Sequence, residues 1–173
     1  MTEEAGWNTL GFQMPEDRMY HRGHTWVRPE ADGTVTVGMD DFGRRLLGRT
    51  GGSKMPRVGQ RLHRNGTAWT VRKGTSEVAV LAPLNGTVVE IGHPGVEWAV
   101  RVRPDAGERM EPLLRGAEIR PWLQREFERF QRVLAPETSV VTMADGGVPV
   151  EDLSAVIPKQ DQPRVYEEMF LQP

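Results

Sequence analysis

The sequence predicts a mostly β chain of the sandwich or barrel type with a helix near its C-terminus, and three observations carry that expectation. Ala68-Trp69-Thr70-Val71 and Glu77-Val78-Ala79-Val80-Leu81 are short apolar or β-branched runs, separated by the polar, Gly-containing Lys73-Gly74-Thr75-Ser76. Such an arrangement reads as a hairpin with an exposed tip. Asn65-Gly66 and Asn85-Gly86 flank it as tight-turn dipeptides, because both residue types accept positive φ at low cost. Leu123, Phe127, Phe130 and Leu134 then recur at helical spacing, a narrow apolar stripe.

The remaining elements follow in chain order. Residues 1 to 18 read as a lead-in with a turn at Met14-Pro15-Glu16-Asp17. His24 to Arg28 and Thr34 to Met39 form a hairpin around Asp32-Gly33. Asp40 or Asp41 caps a short helix in which Phe42 and Leu46 share a face. Thr50 to Met55 has little strand propensity, so a strand there should be irregular or lost. Thr87 to Ile91 and Glu97 to Arg103 are closing strands. A turn at Pro112 to Arg115 precedes the helix, expected from Pro121 because the first helical N–H is unpaired in any case. Farther on, Ser139 to Met143 is strand-like, Asp145-Gly146-Gly147 a turn and Val150 to Ile157 a short helix. Pro158 to Pro163 reads as a polar linker, and Tyr166, Met169, Phe170 and Leu171 as an apolar cluster that docks on its own domain or on a partner.

Composition bounds the function. The 173 residues are 38% hydrophobic and 27% charged, an ordinary soluble balance for one main domain. The absence of cysteine removes disulfides, thiolate metal sites and thiol catalysis. The acidic first residues lack an apolar core of a signal peptide and no run approaches a membrane span, so a cytoplasmic location and no membrane partner are expected. His21, His24, His63 and His93 include no helix-spaced pair, which argues against a metal site. Gly51-Gly52-Ser53-Lys54 lacks the residue order of a phosphate loop, and no serine sits in a nucleophile elbow. Asp40-Asp41 and Glu167-Glu168 read as a cap and a solvated face, since neighbouring carboxylates rarely converge in one pocket. No enzymatic activity is expected.

With these residues placed, a resemblance emerges. The hairpin from Gly59 to Gly86 resembles the lipoyl-bearing hairpin of glycine cleavage system H proteins. Tyr20 with His24-Thr25-Trp26-Val27 is similar to the family's opening Tyr and His-Glu-Trp-Val, which implies that His24 packs or hydrogen-bonds beside Trp26. Val37 to Phe42 with Leu46-Leu47-Gly48, then Pro56 to Gly59, Ala82 to Gly86 and Trp98 to Val102, continue the pattern in order from roughly Tyr20 to Leu134. The resemblance implies a lipoyl/biotinyl-type hammerhead β-sandwich, a barrel-sandwich hybrid, with a short α/β extension beyond it. The expected divisions are a lead-in over 1–19, the H-protein-like domain with its helix over 20–135, and the extension over 136–173.

The chain departs from the family where the chemistry would sit. The modified lysine's position falls on Thr75, whose hydroxyl cannot form the lipoyl amide. Lys73, two positions earlier, is the nearest amine and the alternative lipoylation site, but such a slip near a turn changes a side chain's direction. The family's glutamate three residues before the lysine is Arg72, and its loop between Ile91 and Trp98 is shortened to Gly92 to Glu97. The expected cofactor content is therefore none, with lipoate on Lys73 as the alternative.

Charge gives a second line. The formal net charge is -2, yet Arg44, Arg45, Arg49, Lys54, Arg57, Arg61, Arg64, Arg72 and Lys73 fall in a segment without Asp or Glu. It reads first as a solvated face whose charge is offset by the acidic termini, then as a binding surface for an acidic protein, and third as a polyanion or nucleic-acid surface. Trp69 is the one aromatic interleaved, and stacking platforms usually show more. The leading expectation is a protein-binding module without lipoate; a lipoyl carrier using Lys73 and a nucleic-acid binder are the alternatives. The helix bearing Phe127 and Phe130 is expected to pack on the sheet or, failing that, to form a dimer.

Overall fold

The strands form where apolar residues alternate, and they are short because turn residues interrupt them at close intervals. The computed structural model describes residues 8–93, 95–134 and 151–172. In chain order it holds β1 (Asn8–Thr9), β2 (Phe12–Gln13), β3 (Met19–His21), β4 (Thr25–Pro29) and β5 (Val35–Met39). After helix α1 (Asp41–Leu47) come β6 (Ser53–Lys54), β7 (Arg61–Leu62), β8 (Thr67–Lys73), β9 (Ser76–Leu81), β10 (Gly86–Ile91) and β11 (Val100–Pro104). Helices α2 (Ile119–Leu134) and α3 (Gln162–Met169) follow.

Three antiparallel sheets result: β1 with β2, a six-stranded sheet in the order β3-β4-β5-β11-β10-β7, and a three-stranded sheet in the order β6-β8-β9. Among the described residues no sheet closes into a barrel. The six-stranded and three-stranded sheets share one core, in which Val27, Val37, Val88, Val100 and Val102 of the first meet Val71, Val78 and Val80 of the second. Burying each such side chain contributes about 2 kcal/mol. The weak segment before Pro56 survives as the two residues of β6, whose pairing with β8 is extended by Gly51 N–H donating to the Arg72 carbonyl at 2.8 Å.

Asp40 caps α1 as expected, its Oδ1 accepting from Gly43 N–H at 2.7 Å, and Phe42 and Leu46 are both fully buried. The α2 helix begins two residues before the expected Pro121, which therefore occupies the third position of the first turn, where no intrahelical N–H bond is required. Its stripe is buried inside this chain: Phe127 is 5% and Phe130 0% exposed. A dimer through these two rings is thereby corrected, since neither presents a surface to a second copy. The strand read at Ser139 to Met143 and the turn after it lie outside the described residues. The rest of the extension is helical: a 3-10 turn over Leu153–Val156, another over Lys159–Asp161 where a polar linker was expected, and α3. Val165, Tyr166, Met169 and Phe170 are buried, so the terminal apolar cluster docks on its own chain, while Leu171 stays 39% exposed.

Candidate functional site

The β8–β9 hairpin closes in a two-residue turn. Lys73 pairs with Ser76, leaving Gly74 and Thr75 as the apex. Gly74 has φ of 60°, the left-handed conformation that a tight hairpin turn requires at this first central position and that glycine adopts without a Cβ clash. Thr75 and Gly74 are exposed. Lys73 belongs to the strand, half-buried, and its Nζ donates to the Arg49 carbonyl at 2.7 Å. Its amine thus lies over the loop before β6, off the apex.

The free edge of β9 is covered by the end of the chain. Gln172 pairs its side-chain amide with the backbone of Ala79, Nε2 donating to the carbonyl at 2.6 Å and Oε1 accepting from N–H at 2.7 Å. One carboxamide takes the place of the next strand and removes an unpaired edge. Tyr166 Oη donates to the Leu46 carbonyl at 3.0 Å, tying α3 to α1. Between the apex and α3 runs a groove lined by Thr75, Ser76, Glu77, Pro163, Tyr166 and Glu167. Gln172 carries no signal of this role in the sequence, because nothing local distinguishes a strand-capping amide from a solvated one.

Behind this region lies a buried ionic chain. His24, fully buried with φ of 73°, contacts Asp40 Oδ2 through Nδ1 at 3.1 Å and Glu126 Oε1 through Nε2 at 2.8 Å. Arg129 grips the same Glu126 from Nε and an Nη, each at 3.0 Å, and donates onward to the Glu168 carbonyl at 2.8 Å. Burial alone would drive the His24 proton off, but Asp40 and Glu126 outweigh it and push the imidazole up to about 9. Burial likewise opposes the Glu126 charge, and His24 and Arg129 overcome it, holding that carboxyl down at about 2. His24 stacks on Phe42 and Trp122, with ring centroids 5.0 and 5.4 Å apart, so the expected neighbour Trp26 is replaced by these two rings. Trp26 instead donates from Nε1 to the Met39 carbonyl at 3.0 Å, with the Arg18 guanidinium 4.0 Å over its ring. Glu126 was overlooked in the sequence, although a carboxylate four residues from Trp122 and Phe130 within an apolar face was the available signal.

The basic segment is largely neutralised by its surroundings. Arg44 and Arg45 pair with Asp41, Lys54 with Glu77, Arg61 with Asp105 and Arg64 with Glu108. Arg49, Arg57 and Arg72 are exposed and make no salt bridge among the described residues, although Arg72 stands opposite Glu77 across the hairpin and its charge acts on that carboxylate. Arg49 and Arg72 lie near each other beside the hairpin, bridged by the loop whose Arg49 carbonyl takes Lys73 and whose Gly51 N–H meets Arg72. Arg57 sits on a different loop. Among the described residues no three His, Asp or Glu side chains are grouped as metal ligands, and no helix is long and apolar enough to cross a membrane.

Comparison with known proteins agrees with this geometry. Residues 18–126 match the family model described as glycine cleavage H-protein. The glycine cleavage system H protein of Alkalilimnicola ehrlichii is 30% identical over 115 residues, 59% of this chain and 88% of that one. That of Methylococcus capsulatus is 32% identical over 113 residues, 58% of this chain and 89% of the relative. The crystal structure of a glycine cleavage system H protein from Mycobacterium marinum superposes with a TM-score of 0.53 at 23% identity, covering 65% of this chain and 98% of that chain. At that identity the superposition establishes the fold.

Proposed function

The chain belongs to the glycine cleavage H-protein family, and we propose that it is a member that carries no lipoate and acts as a cytoplasmic protein-binding module. The observation that carries this reading is the apex itself: Gly74 and Thr75 form the whole two-residue turn, and neither offers an amine. Lipoate is held by an amide to a lysine, and the residues present do not fit it. Lys73 is one strand position below the turn and its Nζ donates to the Arg49 carbonyl, which draws it toward the loop before β6 and away from the apex. The reversed charge at Arg72 supports the same reading, because a ligase that recognises an acidic residue there would meet a guanidinium.

The usual role of the family is to carry lipoate among the other glycine cleavage proteins, which makes Lys73 the site of the competing reading. Thr75 is unmodified in the reading preferred here. The partner surface is the hairpin flank with Arg49 and Arg72, which suits an acidic protein face; the pairing of Arg44, Arg45, Arg61 and Arg64 with nearby carboxylates weighs against a nucleic-acid surface.

Treatment with a lipoate–protein ligase, lipoate and ATP, followed by mass analysis, separates the readings. The wild-type chain should stay unmodified, whereas the double variant Arg72→Glu, Thr75→Lys should gain one lipoyl group at residue 75. A lipoyl group on Lys73 of the wild-type chain would overturn the proposal.

A further inference from the structure

A recess of about 480 Å³ opens between the turn after β3, the turn before β8 and the end of the chain. Its size falls within the range of small-ligand sites. The polar groups on its wall are set by a fixed hydrogen-bond chain. His21 Nδ1 accepts from Gly23 N–H at 2.9 Å, so the ring proton sits on Nε2 and donates to Asn65 Oδ1 at 2.7 Å. With its oxygen used in this way, Asn65 presents its NH₂ as a donor. Burial lowers the proton affinity of His21, which keeps the imidazole neutral in this role.

Two arginines share the wall. Arg64 is committed to Glu108 at 2.9 Å, while its Nε is buried without a partner. Arg22 is exposed, and no carboxylate among the described residues pairs with it. Among the described residues no Asp or Glu lines the recess. Arg22 therefore contributes an uncompensated positive charge, beside the Asn65 amide donor.

The opposite wall is apolar. Leu81 and Leu113 are buried beneath it, and Leu171 stands at its lip, 39% exposed. Leu171 has φ of 54°, a left-handed conformation disfavoured for leucine, and it is held there between buried Phe170 and the Gln172 clamp on Ala79. Asn65, with φ of 68°, is a second left-handed residue, on the polar wall, in a conformation asparagine accepts at low cost. Strained backbone gathers where a surrounding structure enforces a particular side-chain placement, as at ligand sites.

We propose that this recess binds a small aliphatic monocarboxylate, with the carboxylate at Arg22 and Asn65 and the hydrocarbon against Leu81, Leu113 and Leu171. One uncommitted cation matches one negative charge, and the leucine wall demands an apolar body that inorganic phosphate lacks. The C-terminal extension then has a definite part, because it supplies Leu171. The inference goes beyond the function proposed above and stands whether or not the hairpin is acylated.

Titration of the full chain with hexanoate, followed by amide shifts of Arg22, Gly23 and Asn65, tests it, with 1-hexanol and phosphate as paired controls. Saturable hexanoate binding is expected, with hexanol and phosphate each at least about fivefold weaker, the scale of one desolvated charge contact or of a buried hydrocarbon segment. Arg22→Gln should weaken hexanoate about fivefold and leave hexanol unchanged. Leu171→Gly accepts the left-handed conformation, so the fold should persist while hexanoate weakens severalfold. Hexanol binding as tightly as hexanoate, phosphate binding as tightly as hexanoate, an Arg22→Gln variant with undiminished affinity, or no saturable shift would each overturn the proposal.

Discussion

Replacing Glu126 with glutamine removes the middle charge of the Asp40–His24–Glu126–Arg129 chain while keeping the shape. The wild-type carboxylate is held from its ordinary 4.5 down to about 2 by His24 and Arg129 against burial, which corresponds to about 3 kcal/mol at ~1.4 kcal/mol per pH unit. Glu126 is 7% exposed, so solvent screening takes little of this away. Breaking a buried pair from one side typically costs about 3–5 kcal/mol, a consistent figure. Urea unfolding at pH 6, followed by tryptophan fluorescence, should show Glu126→Gln destabilised by about 3 kcal/mol. The pH dependence adds a second, signed expectation. His24 binds its proton more tightly when folded, so its contribution is complete below pH 6.5 and is lost as the pH rises through about 9. Wild-type stability should fall by about 3 kcal/mol across that window, and the variant should begin to fall at lower pH because His24 keeps only Asp40. On the acid side, the Glu126 contribution is present above 4.5 and lost as the pH falls through about 2. His21, its affinity lowered by burial, binds fewer protons folded than unfolded and destabilises the fold as pH drops below 6.5. A variant within about 0.5 kcal/mol of wild type, the range of an ordinary surface substitution, or a flat wild-type profile from pH 6.5 to 9, would refute the ionic chain as described.

Two further expectations concern packing and the covered edge. Gln172→Ala should cost about 1–2 kcal/mol and accelerate hydrogen exchange at Ala79, whose N–H loses its acceptor; unchanged exchange would contradict the edge-capping role. Gly38→Ala would place a Cβ 2.5 Å from the Trp26 ring, and the forced shift should destabilise by about 1–3 kcal/mol in the same urea assay.

Legibility from sequence tracked how local each determinant is. The hairpin apex, the Asp40 cap and the α2 stripe depend on residues within a few positions of one another, and the structure places them as read. The partners of the basic segment were hidden for the opposite reason. Arg61 and Arg64 look unopposed along the chain, but their carboxylates, Asp105 and Glu108, arrive from 44 residues away. The His24–Glu126 contact spans 102 residues and joins a turn to a helix, beyond any periodicity argument. Gln172 reaches Ala79 across 93 residues through a side chain acting as backbone, for which a sequence carries no pattern. The resemblance located Thr75; only the fold located the Lys73 amine on the Arg49 carbonyl.

Whether this molecule carries a lipoyl arm is decided at that apex. The most direct measurement is the intact mass of the wild-type chain purified from a lipoate-supplied host that modifies its own H proteins. The mass of the bare polypeptide is the predicted result, and a lipoylated species mapping by fragmentation to Lys73 would contradict the account.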